Sequence, residues 1–154
     1  MHYWLFKSEP ETFSIDTLAK RPKQTTPWDG VRNYQARNMM RDDMKRGDLG
    51  LFYHSSCTPP GVAGIVEIVK ESYPDNTQFD PESKYYDPKS TPDKPRWFLV
   101  DVKLVEKFPR LLTLEEIKQH PQLENMIINR RGNRLSITPV TEGEWKTILK
   151  LRKK

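Results

Sequence analysis

The chain holds a single cysteine, Cys57, in 154 residues, so no intrachain disulfide can form. That economy suits a reducing compartment. The histidines are His2, His54 and His120, with no two at ligand spacing, so no metal site is expected. No apolar run approaches the roughly 20 residues of a membrane span. No charged-then-apolar leader precedes the alternating residues at the start, and a cytoplasmic protein is the expectation. A Gly-rich phosphate loop is missing as well: Arg32, Asn33 and Tyr34 stand where such a loop would need glycine and lysine. Cys57 and His54 make a poor nucleophilic pair, because the Pro59-Pro60 turn offers no helix N-terminus to lower the thiol's pKa. Nothing calls for a cofactor.

What is present is aromatic and basic. Hydrophobic residues are only 35% of the chain, yet aromatics reach 10%, which predicts a small, aromatic-rich core. The length suits one domain, residues 1–154, with room for one deep pocket. A formal charge of +5 and a pI near 9.3 favour an anionic partner, nucleic acid first, although 21 acidic residues dilute the signal.

Residues 2–9 read as a buried strand with Tyr3 and Leu5 on one face and Trp4 and Phe6 on the other; Pro10 stops it. Ser14 caps a short helix carrying Ile15 and Leu18, and residues 22–27 form a loop. Asn33 is placed to cap a helix from Tyr34 to about Lys45, with Ala36, Met40 and Met44 inward. Strands are predicted over Leu49–Ser55 and Val62–Lys70, forming an antiparallel hairpin, and over Arg96–Phe108. Between the last two, residues 71–96 carry five of the 13 prolines with Tyr73, Phe79, Tyr85 and Tyr86, and are expected to fold back over a pocket. Capping boxes at Thr113–Glu116 and Thr141–Glu144 open two helices around a last strand, Leu135–Val140. Strands spaced for antiparallel pairing predict an α+β fold: a small curved sheet or barrel with short helices around it.

The segment Trp28–Asn38 gathers an indole, a phenol, amides and two guanidinium groups at the entrance of one helix. A flat base can stack on such aromatics and be read at its edge by amides and hydroxyls. Asn33, Ser55 and His54 are candidate edge readers, and Lys7 is a candidate for a phosphate or a base carbonyl. Arg37, Arg41 and Lys45 form a basic ridge at i, i+4, i+8. Trp28 and Tyr34 are equally readable as plain core aromatics. Lys7 with Glu9 or Asp29 is also a candidate proton-transfer pair.

Several motifs together resemble one family. They are Lys-Ser-Glu-Pro at 7–10, Trp-Asp-Gly-Val-Arg-Asn-Tyr-Gln-Ala-Arg-Asn at 28–38, Tyr-His-Ser at 53–55 and Gly-Val-Ala-Gly-Ile-Val-Glu-Ile at 61–68. Tyr-Tyr-Asp-Pro at 85–88, Pro-Arg-Trp at 95–97 and Arg-Leu-Ser-Ile-Thr-Pro-Val at 134–140 continue the pattern. The chain is similar to EVE domains, which belong to the PUA-like superfamily with the YTH domains that read methylated adenine in RNA. The resemblance implies a PUA-like β-barrel, mostly antiparallel, with flanking short helices. It implies a pocket for a modified base in nucleic acid, modified cytosine in DNA foremost, or modified RNA; a monomer that binds without catalysis is the expectation.

Carried over by motif, the ligand would meet Lys7, Ser8, Trp28, Val31, Asn33, Tyr34, Tyr53, His54, Ser55 and Tyr86. Arg32, Arg37, Arg41, Arg130 and Arg131 would meet the phosphate backbone. Removing the Trp28 side chain is expected to abolish base selectivity and leave the fold intact. Some PUA-like relatives of the ASCH type are amidohydrolases, so a hydrolase of modified nucleosides using Lys7 with Glu9 or Asp29 stands as the alternative. A sensor of a small metabolite in the same pocket is the third reading.

Overall fold

The computed structural model describes residues 1–129 and 135–152. In chain order the elements are β1 (Tyr3–Ser8), α1 (Ile15–Ala19), β2 (Thr25–Pro27), α2 (Tyr34–Asn38), β3 (Leu49–His54), β4 (Gly61–Pro74), β5 (Phe98–Thr113), α3 (Leu114–Lys118), β6 (Ile137–Val140) and α4 (Glu142–Leu151). The strands form one six-stranded sheet in the order β2-β5-β4-β3-β1-β6. Only β1 and β3 run parallel among the described residues; the other neighbours are antiparallel. The end strands do not pair with each other, so the expected α+β curved sheet is open at its seam.

Strand β1 is apolar on both faces because both faces of the sheet are covered. On one side Trp4, Phe6, Phe52, Val66 and Val102 pack against Ile15 and Leu18 of α1, against Trp28 and Val31, and against Ala36, Met40 and Met44. On the other, Leu5, Leu51, Tyr53 and Ile65 pack against Ile117 of α3 and against Trp145, Ile148 and Leu151 of α4. Burying an aliphatic or aromatic side chain in this way contributes about 1.5–3 kcal/mol. The sheet is therefore the middle layer, and ligand space must lie at strand ends.

Caps and turns follow the sequence closely. Ser14, Asn33, Thr113 and Thr141 accept from backbone amides at their helix starts, and Thr113 and Thr141 complete reciprocal capping boxes with Glu116 and Glu144. Other expectations need correcting. The loop over 22–27 contains β2, which pairs with β5 at Thr26 and Val102. Its three residues are too few to show alternation. The helix expected to reach Lys45 is α-helical only to Asn38; Met39–Asp43 form a π turn closed by Met44 N donating to Met39 O at 2.9 Å. Met40 and Met44 stay buried all the same. Strand β4 continues to Pro74 and β5 to Thr113, because register shifts absorb the polar stretches that alternation alone would have ended. The closing helix buries Leu151 more deeply than Leu149.

Candidate functional site

A cavity of about 700 Å³ opens where β1 ends. Its wall is drawn from Lys7, Ser8 and Glu9 after β1, from Phe13 before α1, and from the continuous run Thr26–Asn33; Lys84, Tyr85, Arg21 and Ser136 close the rim. Three segments meet there: the end of β1 (one strand in from the β6 edge), the turn before α1, and the 28–33 run that leaves β2 at the opposite edge of the sheet.

Trp28 is fixed before any ligand arrives. Its amide donates to Val100 O at 2.9 Å, and Phe6, Phe13 and Phe52 meet its ring edge-on at 5.2, 6.4 and 5.6 Å. It is 8% exposed and lines the cavity with what remains. The indole is both a core residue and a wall. Deleting it would leave a hole among three phenyl rings, so the expectation that Trp28→Ala spares the fold does not suit this packing.

Gly30 turns the chain with φ +78°, and its amide donates to Asp75 Oδ2 at 2.9 Å. A Cβ there would lie 2.6 Å from the Tyr85 ring, so the ring occupies the space that glycine leaves. Arg32 then spends all five guanidinium hydrogens inside the protein. Nε and Nη2 donate to Tyr85 O, Nη2 also to Thr77 Oγ1, and Nη1 to Val31 O and Asp75 Oδ2. Arg32 is the staple of the 75–97 segment, with no donor left for a phosphate. Gln78, fully buried, completes the fastening: its amide donates to Asp75 O and Trp97 O and accepts from the amides of Arg96 and Trp97. The segment expected to fold back over a pocket does so, and it delivers Tyr85 and Lys84 to the cavity while Tyr86 points to solvent.

Lys7 faces the cavity half-buried. Among the described residues its ammonium has no hydrogen-bond or ion-pair partner, and neither Glu9 nor Asp29 pairs with it. Burial pushes its pKa down. Asp29 is pushed the other way, up, by burial and then by the Asp75 carboxylate. Ser8 Oγ donates to Phe13 O at 2.6 Å, tying β1 to the turn before α1. Asn33 caps α2 through Oδ1, bonded to Ala36 N at 3.0 Å, and lines the cavity.

The remaining candidates lie elsewhere. Tyr53 is 2% exposed in the core of the opposite face, with burial pushing its phenol up to about 12. Parallel pairing of β1 with β3 sets Tyr53 beside Lys7 in register, and its ring packs with Leu5 and Leu51 in the core on the α4 side. His54 Nε2 accepts from Ile15 N at 3.2 Å, and the Ser55 amide donates to Ser8 O at 2.9 Å. Both brace the cavity from behind. Tyr34, 50% exposed, stacks on Trp97 at 4.8 Å with the Arg37 guanidinium 4.7 Å from its ring. Arg41 is forked onto Asp42. Arg130 and Arg131 lie outside the described residues.

Sequence reasoning missed Phe13, Arg21, Lys84, Tyr85 and Ser136. Tyr85 and Tyr86 are neighbours in one motif, and nothing in the sequence says which turns inward; Phe13 and Arg21 flank a helix that reads as structural. Arg21 sits over the Phe13 ring at 5.3 Å and Lys84 over Tyr85 at 5.0 Å, neither with a carboxylate partner among the described residues. Among the described residues no helix is long and apolar enough to cross a membrane, and no His, Cys, Asp and Glu cluster could hold a metal ion.

The layered α+β fold, with a fixed aromatic wall and unpaired cations at the cavity, is an architecture of the PUA-like kind. The EVE domain model matches residues 2–151, and the chain belongs to the EVE domain family. Human thymocyte nuclear protein 1 is 47% identical over 99% of this chain and 74% of its own length. A crystal structure from Pseudomonas putida is 51% identical with a TM-score of 0.92, covering 97% of this chain and 99% of that one. The human THYN1 protein, solved in complex with 5-methylcytosine-containing DNA, is 46% identical with a TM-score of 0.94, covering 100% of this chain and 99% of that one.

Proposed function

We propose that residues 1–154 act as one monomeric module that binds DNA carrying 5-methylcytosine or a closely related modified cytosine, holding the base in the Trp28 cavity. The observation that carries this reading is the cavity's pairing of a pre-fixed indole with an unpartnered lysine, in a volume of about 700 Å³ that suits a small flat ligand. The human relative bound to 5-methylcytosine-containing DNA supports the choice of ligand. A base must leave the duplex to enter such a site, and stacking on an aromatic side chain offsets about 1–3 kcal/mol of that cost. Val31 and Phe13 offer apolar surface for a methyl group. Arg21, Lys84 and Arg37, none of them in an ion pair among the described residues, are the cations offered to the phosphates in place of Arg32 and Arg41. The hydrolase reading finds less support, since Lys7 and its candidate carboxylates form no ion pair.

The test is titration of matched duplexes carrying cytosine or 5-methylcytosine, with an RNA of the same sequence, at several salt concentrations. A preference for the methylated DNA is expected. Arg21→Ala and Lys84→Ala should each weaken binding to all DNAs alike and reduce the salt slope by about 1. Equal affinity for the methylated and unmethylated duplexes would refute the reader. Salt-independent binding of a free nucleoside would favour the metabolite sensor, and turnover of one the hydrolase.

A further inference from the structure

We infer that Asp29 makes the cavity a reader of amino-bearing bases that rejects their oxo counterparts, and so separates 5-methylcytosine from thymine. This inference rests on the base-reading function proposed above. Asp29 and Lys7 face one cavity with opposite charges and do not pair. Among the described residues the Asp29 carboxylate has no hydrogen bond or ion pair to another residue, and the nearby Arg32 has no donor left to offer it. A donor and an acceptor kept apart across a cavity await a ligand that offers one of each.

The position of Asp29 is not free to drift. The amide before it in the chain, Trp28 N, is held by Val100 O, and the amide after it, Gly30 N, by the buried Asp75. Glu9 also lines the cavity and is exposed as Asp29 is, but its longer side chain puts one more rotatable bond between backbone and carboxylate. Asp29 is therefore the better-fixed acceptor.

Cytosine presents an N4 amino donor beside the N3 and O2 acceptors. Thymine carries the same 5-methyl group and the same O2, but has O4 and N3–H at the other two positions. A lysine at O2 cannot tell the two apart. A carboxylate at position 4 can: it accepts from N4–H₂ and repels O4. The same logic admits adenine, with its N6 amino group.

The experiment measures affinity for oligonucleotides identical except for one central 5-methylcytosine, cytosine or thymine, single-stranded and paired opposite guanine. In the duplex the thymine is mismatched and easier to extrude, which works against the expected result. Wild type should prefer 5-methylcytosine about tenfold or more in both formats, the scale of one well-made base contact. Asp29→Asn, whose amide can turn its NH₂ toward O4, should bring the ratio near one, and Asp29→Glu should keep part of it. Thermal unfolding of both variants checks that the fold is intact. If wild type prefers 5-methylcytosine over cytosine but not over thymine, the inference falls and the reader stands. An Asp29→Asn ratio equal to wild type has the same meaning. No preference over unmodified cytosine refutes the reader itself.

Discussion

The Arg32 guanidinium and the Asp75 carboxylate meet at 3.2 Å with the acid 1% exposed, joining the run after β2 to the start of the long segment after β4. Asp75 also accepts from the Gly30 amide and from the amide and hydroxyl of Thr77. Removing its charge leaves a withdrawn arginine without its counter-ion. Asp75→Asn should cost about 2–3 kcal/mol, at or under the low end for a broken buried pair because Arg32 keeps 22% exposure. Hydrogen exchange should quicken across residues 75–97 first, ahead of global unfolding. Uniform exchange across the chain would show that the staple does not fasten this segment.

Two glycines with positive φ separate strain from contact. Gly47, at φ +96°, has nothing within 4 Å of a notional Cβ, whereas Gly30, at φ +78°, has the Tyr85 ring. Gly47→Ala should cost about 1 kcal/mol for the left-handed backbone alone. Gly30→Ala carries that cost plus displacement of Tyr85, in all about 2–4 kcal/mol. Denaturant midpoints measure both. Ligand affinity should fall for Gly30→Ala only, since only there is a cavity wall moved.

How far these features were legible depends on their range. Local chemistry was readable: the caps at Ser14, Asn33, Thr113 and Thr141, and the inward stripe Ala36, Met40, Met44. The motif containing Trp28 and the strand end at Lys7 and Ser8 do meet at one cavity. What failed was direction. Tyr53-His54-Ser55 aligns with Lys7 and Ser8 in register, yet the Tyr53 ring packs into the α4-side core, His54 accepts from the Ile15 amide, and Ser55 gives its backbone amide to Ser8. Arg32 reads as a phosphate ligand until the carbonyl of Tyr85, 53 positions away, is seen to take it. Long-range pairing of that kind leaves no local periodicity behind.

His54 gives the fold a pH dependence of definite sign. Its ring is held neutral, because burial lowers its pKa more than nearby Asp16 raises it, and Nε2 accepts from the Ile15 amide. In the unfolded chain the ring takes a proton near 6.5. Between that value and the lower folded one, the unfolded state holds more protons, so stability drops as pH falls through the window. Above it the contribution is complete and flat. His54→Gln, which keeps an acceptor and cannot titrate, should have a shallower loss of stability below pH of about 6.5. Parallel curves for the two proteins would mean that the ring is not held neutral.

Lys7 and Trp28 should part company when stability and binding are measured together. Lys7 is a half-buried cation with no partner among the described residues, and burial lowers its pKa, so its charge opposes folding at neutral pH. A folded pKa below that of the unfolded chain means the unfolded state holds more protons on the way up to the ordinary value of 10.5, and stability rises with pH there. Lys7→Met keeps the length and removes the charge. It should leave the melting temperature unchanged or raise it, while affinity for methylated DNA falls about tenfold or more, the loss of a charge-assisted contact. Trp28→Ala instead removes a ring packed against Phe6, Phe13 and Phe52 and should cost about 3–5 kcal/mol together with binding. Calorimetry and titration on the two variants separate a lysine kept for its ligand from a tryptophan that serves both. A Lys7→Met protein as destabilised as Trp28→Ala would place the lysine in the architecture instead.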